Sequence, residues 1–356
     1  MSLILAVNPG NTSTKAGLFE DEKLMVMEVV RHKKKELEVF PNFIDQLELR
    51  RQAVKDFLDR NKVDPQKIDY FIGRGGYLRP LKSGLYEVDD KMLEDLKTSR
   101  YGEHASNLGA MIAYSFSLNA GKRAFILDPV CVDEMQPVAR LSGHPAIERT
   151  SVFHALNQKR VARNAAKDLG LDYHEINIIV AHLGSGISVG LHKKGMIVDV
   201  TNAIDGEGPF SPERSGAVPT GSFLRYVLEK KLSWKESSGM LYGKGGLYAY
   251  LGTNDFKKVM KDYEDGTDKK VKLVVEAMAY QVCKNIAAMA APAGGDIDAV
   301  AITGGLAYSG TFTDLIVKSV SFISGNILIY PGEDELQAMA EGVVKGLGGE
   351  IKILDY

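Results

Sequence analysis

The chain has 356 residues, of which 45% are hydrophobic and 25% charged, ordinary globular values for a length that supports two core-bearing domains. Forty-four basic residues against 46 acidic ones leave a net charge of −2, which excludes electrostatic capture of nucleic acid or an anionic membrane. Cys131 and Cys283 are the only cysteines, too few for a disulfide framework or a zinc site, so a reducing, cytoplasmic setting is expected. The apolar opening Met1 to Val7 lacks a basic n-region, and no run approaches the roughly 18 apolar residues of a membrane helix.

In chain order, Leu3-Ile4-Leu5-Ala6-Val7 reads as a buried strand, Asn8 to Lys15 as a tight polar loop, and Ala16-Gly17-Leu18-Phe19 as a returning strand with a turn at Glu20-Asp21-Glu22. Helices are expected over Phe43 to Arg60, on a stripe of Ile44, Leu47, Val54, Phe57 and Leu58, and over His104 to Leu118. Ala124-Phe125-Ile126-Leu127 is a short buried strand delivering Asp128, stopped by Pro129. A helix follows from about Phe153 to Leu169 with Gly170 as C-cap.

The opening grammar then recurs: Ile178-Ile179-Val180-Ala181, the loop His182-Leu183-Gly184-Ser185-Gly186, Ile187-Ser188-Val189-Gly190-Leu191, and a turn at His192-Lys193-Lys194-Gly195. Two copies of one hairpin about half a chain apart imply duplicated lobes. A long helix from Lys270 to Ala291, strand Ala299 to Ile302 running into Thr303-Gly304-Gly305, strand Ile327 to Tyr330, and a helix from Asp334 to Gly346 complete an α/β pattern. The expected division is 1–150 with 338–356 returning to the first lobe, and 151–337 as the second.

No GxxxxGK[ST] sequence and no protein-kinase motif set is present, and Gly184-Ser185-Gly186 lacks GxGxxG spacing. What remains are two strand-to-strand turns rich in Gly, Ser, Thr and Asn, whose N–H groups and hydroxyls suit phosphate oxygens. An ordinary hairpin is the competing reading of each.

Five segments appear in order: Val7-Asn8-Pro9-Gly10-Asn11-Thr12-Ser13-Thr14-Lys15, Gly73-Arg74-Gly75-Gly76, Ala181 to Gly186, Asp205-Gly206-Glu207-Gly208-Pro209-Phe210-Ser211-Pro212-Glu213-Arg214-Ser215-Gly216, and Ile302-Thr303-Gly304-Gly305-Leu306-Ala307. Together they resemble the signatures of the acetate and butyrate kinase family, within the actin, heat-shock ATPase and sugar kinase superfamily. The resemblance implies two ribonuclease-H-like (actin-like ATPase) lobes clasping ATP in a cleft. The short chain, the Asn-Pro-Gly opening and Asp-Gly-Glu-Gly-Pro-Phe resemble the butyrate branch. The acetate branch's His-Arg-x-Val-His-Gly-Gly is reduced here to Ile72-Gly73-Arg74-Gly75-Gly76.

The resemblance also implies roles. Asn8 sits near Mg²⁺ and the transferred phosphate, supported by Ser13 and Lys15; Arg74 and Arg214 flank the acceptor, their planar donors matching carboxylate and phosphate oxygens. Asp128 acts on the metal or on an arginine, with a turn cap before Pro129 as the alternative. His154 donates to a phosphoryl oxygen, His182 contacts ATP phosphates, and Gly184, Ser185, Gly186, Thr303, Gly304 and Gly305 approach the nucleotide. Asp334, with Glu333 or Glu335 as alternatives, is the metal-associated acid. Phe153 and Phe210 are candidates for an acyl pocket or for core packing.

A carboxylic acid with a pKa near ~4.3 is already ionised at neutral pH, so the acceptor needs no general base. The obstacle is repulsion from the polyanionic phosphate. The implied reaction is butyrate + ATP = butanoyl phosphate + ADP, reversible and by direct in-line transfer, with another short or branched acid as the alternative acceptor. A sugar kinase, in which Asp128 would be a base, and an actin-like assembly ATPase are the rival readings. A homo-oligomer, at least a dimer, is also implied.

Overall fold

The structure, a computed structural model, describes residues 1–356. From Ile4 onward the first strand, β1 (Leu3–Pro9), is buried on both faces, as a continuous apolar run requires. The chain returns antiparallel as β2 (Ser13–Glu20), with Asn8 opposite Lys15, and turns again into β3 (Lys23–Arg31). Then come β4 (Tyr70–Arg74), β5 (Leu85–Glu87) and β6 (Arg123–Leu127). A small exposed hairpin, β7 (Leu141–His144) with β8 (Ile147–Glu148), precedes β9 (Asn177–Leu183), β10 (Ile187–Lys193) and β11 (Met196–Val200). The last strands are β12 (Ala299–Gly304), β13 (Ile327–Pro331) and β14 (Ile353–Leu354).

Two sheets carry the fold, ordered β14-β5-β6-β4-β1-β2-β3 and β11-β10-β9-β12-β13. Both have the same plan. A three-stranded antiparallel meander (β1-β2-β3, β9-β10-β11) is extended from its first strand by parallel strands, β4 then β6 in one sheet and β12 then β13 in the other. Each meander carries one register shift between its second and third strands, at Leu18/Phe19 and at Leu191/His192. The duplicated hairpins are therefore the cores of duplicated sheets.

Residues Met1–Val132 with Asp334–Tyr356 form one compact unit, and Asp133–Glu333 the other. The division falls earlier than residue 150 because the intervening stretch is tied to the second unit. Glu134 accepts from Lys159 Nζ (2.6 Å) and Ile197 N (2.8 Å), and Gln136 N donates to Val198 O (3.0 Å).

In the first unit the helix Leu47–Arg60 buries Val54, Phe57 and Leu58, and the helix Asn107–Ala120 buries Leu108, Ile112 and Phe116. The second helix lies so close to β4 that a Cβ at Gly73 would stand 2.0 Å from Gly109 O. In the second unit the sheet is covered on both faces. The helix Lys269–Ala290 packs Val275, Met278, Val282 and Ile286 with Ile179, Ala181 and Val189, while the helix Ala155–Asp168 packs Val161, Ala162 and Ala165 with Ile178, Val180 and Ala301. No helix is long and apolar enough to cross a membrane.

Candidate active site

In the first unit, the parallel strands β1 and β4 place Asn8 and Arg74 near their C-terminal ends, where open α/β sheets bind ligands. Glu335, the first residue of the helix Glu335–Leu347, joins them. Its Oε1 lies 3.2 Å from Arg74 Nε, and its Oε2 accepts from Asn8 Nδ2. Asn8 and Arg74 are both buried, and Arg74 Nη1 is a buried donor with no protein acceptor. An unsatisfied donor on a buried guanidinium costs ~1–3 kcal/mol or more, so this nitrogen is set up for an incoming anion. Lys15, opposite Asn8 on β2, is half-buried, as is Ser13, whose carbonyl accepts from Gly10 N at 2.8 Å.

Asp128 follows β6 fully buried at φ 38°, a left-handed conformation costly for a residue with a Cβ. Its Oδ1 accepts from Ser83 Oγ (2.6 Å) and Gly84 N (2.9 Å), while its own N–H donates to Gly84 O (3.1 Å). Part of its role is thus to fix the turn before Pro129. Asp334 is likewise left-handed, at φ 43°, and the three consecutive acids diverge: Glu335 meets Asn8 and Arg74, whereas Glu333 lies against the second unit's His182.

In the second unit His154 caps the helix Ala155–Asp168, and its ring stacks on His182 at 3.8 Å between centroids and 13° between planes. The orientation of His182 follows from its neighbour. Asn157 Nδ2 donates to Glu333 O (3.1 Å), so Asn157 Oδ1 accepts from His182 Nδ1–H (2.7 Å), leaving His182 Nε2 3.5 Å from Glu333 Oε1. Gly184 N donates to Gly186 O (3.0 Å), closing the loop, and Ser185 is exposed at its tip. Arg214 lies directly over Gly186, where a Cβ would meet its guanidinium at 2.1 Å; its Nη1 donates to Ala203 O (2.6 Å).

Thr303, next to last in β12, is fully buried, with Oγ1 donating to Gly332 O (3.1 Å). Gly304 has φ 94° and lies against Leu183, since a Cβ there would stand 2.3 Å from Leu183 O, whereas Gly305 faces open space. Phe210 belongs to the apolar core with Leu247, Val275 and Met278, and Phe153 is also buried.

Arg50 was not anticipated. It is fully buried, its five donors spent on Gln46 Oε1 and on the carbonyls of Gly10, Asn11 and Ser13, with Thr14 Oγ1 at 3.3 Å. With no carboxylate among these partners, burial alone pulls its pKa down to about 10. It thus ties down the three carbonyls of the first glycine-bearing loop. The available signal was an arginine at the i+3 position from Leu47 and the i−4 position from Val54, on the helix's apolar stripe.

Two units on one repeated sheet plan, each with a glycine-bearing hairpin, carry the buried Asn8 and Arg74 with Glu335 in one and the stacked His154 and His182 in the other, a set of groups suited to a phosphotransferase. The acetokinase family profile matches residues 145–325. Over 353 residues, covering 99% of each sequence, the chain is 48% identical to butyrate kinase 2 of Clostridium acetobutylicum. The chain belongs to the acetokinase family. Among solved structures, acetate kinase of Porphyromonas gingivalis superposes with a TM-score of 0.78 (19% identical, 96% of this chain and 99% of that one). A propionate kinase of Francisella tularensis gives 0.75 (21% identical, with the same shares). These likenesses establish the fold.

Proposed function

We propose that the protein transfers the γ-phosphoryl group of ATP to a short-chain carboxylate, butyrate foremost, giving butanoyl phosphate and ADP in a reversible cytoplasmic reaction. The observation that carries this reading is Arg74, a buried guanidinium whose Nη1 has no protein acceptor and whose Nε is held by Glu335. Identity with butyrate kinase 2 along the whole chain supports the choice of acid.

The acceptor carboxylate is an anion at neutral pH and attacks phosphorus directly, while the electrons of the breaking bond pass to the leaving ADP oxygen. Arg74 and Arg214 neutralise and orient the acceptor and phosphoryl oxygens, and His154 donates a hydrogen bond to a phosphoryl oxygen. The loops around Ser13–Lys15, Gly184–Gly186 and Thr303–Gly305 supply N–H groups and hydroxyls to ATP, with His182 alongside the second.

The residues present fit Mg²⁺. Asn8 gives its Nδ2 to Glu335, which leaves Oδ1 as an acceptor, and carboxylates of the acidic run would supply further hard oxygen ligands. No cluster of three or more His, Cys, Asp or Glu forms a ready-made cage, which suits a cation held largely by phosphate and water. Asn8 and Asp334, or one of its neighbours Glu333 and Glu335, would hold it. When bound, Mg²⁺ would offset phosphate charge. A homo-oligomer is part of this reading, supported by the exposed Leu224, Leu228 and Trp234 on the helices Thr220–Glu229 and Trp234–Leu241.

The test is hydroxamate trapping of acyl phosphate from acetate, propionate, butyrate, isobutyrate and valerate with ATP and Mg²⁺. Burying two further methylenes at ~0.8 kcal/mol each predicts that butyrate exceeds acetate by about tenfold in kcat/KM. Equal or better use of acetate would remove the butyrate preference. Product from none of the acids would remove the carboxylate.

A further inference from the structure

The geometry assigns to Gln158, Ser188, His192 and Tyr173 a joint positioning role: they form a one-way hydrogen-bond chain that holds the ring proton of His154 on Nε2. The inference rests on the proposed reading of His154 as a donor to the phosphoryl group, and it says how that donor stays armed without a positive charge.

The direction of the chain follows from one backbone group. Gln158 Nε2 lies 3.1 Å from Ser188 O and 2.8 Å from Ser188 Oγ. A carbonyl oxygen only accepts, so the amide NH₂ must be at this end and Gln158 Oε1 at the other. Oε1 is 3.3 Å from His192 Nε2 and therefore takes a proton from it. The His192 ring is fully buried and faces the charges of Lys159 and Arg163; burial first, then those charges, holds its pKa well below the usual value, so it is neutral. A neutral ring with Nε2–H carries a lone pair on Nδ1, and Tyr173 O–H donates to it at 2.8 Å.

The other end of the chain is equally constrained. Ser188 is fully buried, and its Oγ has two partners, Gln158 Nε2 and His154 Nδ1 at 2.9 Å. Because the amide donates to Oγ, the hydroxyl proton has one acceptor within reach, His154 Nδ1. That nitrogen therefore carries the lone pair, and the proton sits on Nε2. The sequence places Gln158 one helical turn after His154, so one helix presents both. The stack on His182 fixes the ring plane, and the chain fixes which of its nitrogens donates.

The test is ¹⁵N NMR of ¹⁵N-histidine-labelled protein at about pH 8, above the usual histidine pKa of ~6.5, with the His154 signals assigned by their loss in His154→Gln. The parent is expected to show Nδ1 unprotonated and Nε2 protonated. Gln158→Glu is isosteric but replaces the NH₂ with an acceptor. Ser188 O–H then turns toward residue 158, and its lone pair draws the His154 proton to Nδ1. The expected result is a reversed ¹⁵N pattern, with kcat for butyrate lowered by roughly 10²-fold and both KM values changed less than threefold. Ser188→Ala, which removes the donor without adding charge, should give averaged nitrogen shifts and a smaller loss of kcat. A protonated Nδ1 in the parent overturns the inference, and so do folded variants whose His154 shifts match the parent. If the shifts reverse while kcat holds, the positioning chain stands and the phosphoryl-donor reading of His154 fails.

Discussion

At the scale of single residues, the first unit separates two uses of arginine. Arg50 spends every donor on protein oxygens, while Arg74 Nη1 is buried with no protein acceptor. Arg74→Ala should therefore lower kcat by roughly 10² or more with Tm little changed, since an oriented contact to developing charge supplies a few kcal/mol; Arg74→Lys should restore only part. Normal turnover in a folded Arg74→Ala protein would take this residue out of the reaction. Arg50→Lys should act in the opposite order. A lysine cannot span three carbonyls and Gln46, so stability falls by ~1–3 kcal/mol from unmatched buried acceptors, and the loosened loop raises KM for ATP several-fold. Thermal melts and ATP saturation curves separate the two cases. Arg74 stood out in the sequence because glycines flank it, and it is buried. Arg50 did not, because nothing in an exposed-looking Leu49-Arg50-Arg51 shows which arginine turns inward. The run Glu333-Asp334-Glu335 could not be resolved from sequence either: the left-handed turn at Asp334 sends its two neighbours in different directions, and that turn depends on tertiary packing.

At the scale of elements, continuous apolar runs made β1, β9 and β12 legible, and the spacing of Leu47, Val54 and Leu58 made their helix legible. The third strand of each meander escaped. Lys23–Arg31 alternates exposed and half-buried residues at a sheet edge, a weak signal, and Met196–Val200 is short. The turn expected at His192 to Gly195 is confined to Lys194 and Gly195; His192 lies within β10, fully buried beside the register shift that follows Leu191. That two-residue error hid the chain reaching His154, because a turn histidine would be solvated. The glycine pair Gly304-Gly305 also divides by element rather than by composition, the first ending β12 and the second following it. Gly304→Ala meets both a φ of 94° and Leu183 O at 2.3 Å, whereas Gly305→Ala meets nothing within 4 Å. The first should lose several kcal/mol or fail to fold. The second should melt like the parent, and any effect should appear in KM for ATP. Equal melting temperatures for the two variants would contradict the close approach of β12 and β9.

At the scale of the whole molecule, each unit holds a buried histidine whose pKa is pushed below the usual value, and this sets how stability responds to pH. In the second unit, burial together with Lys159 and Arg163 holds His192 well below the usual range; in the first, burial and then Arg50 lower His32, opposed by Glu36. On unfolding, both rings recover a pKa near ~6.5. Below about pH 6.5 the unfolded chain therefore binds protons at these positions that the native chain does not, so stability rises with pH in that window and is lost as pH falls through it toward the native values. Above about pH 7.5 neither state holds the proton, and the contribution is constant. Melting temperature measured from pH 8 to pH 5 should thus be flat at first and then decline, before ordinary carboxylates begin to titrate. His192→Gln should lower Tm at pH 8, through its lost partners Tyr173 and Gln158, but decline less steeply between pH 7 and pH 5, because the linked proton is gone. The two melting curves should converge as the pH falls. Curves that stay parallel down to pH 5 would mean that His192 is already charged in the native protein.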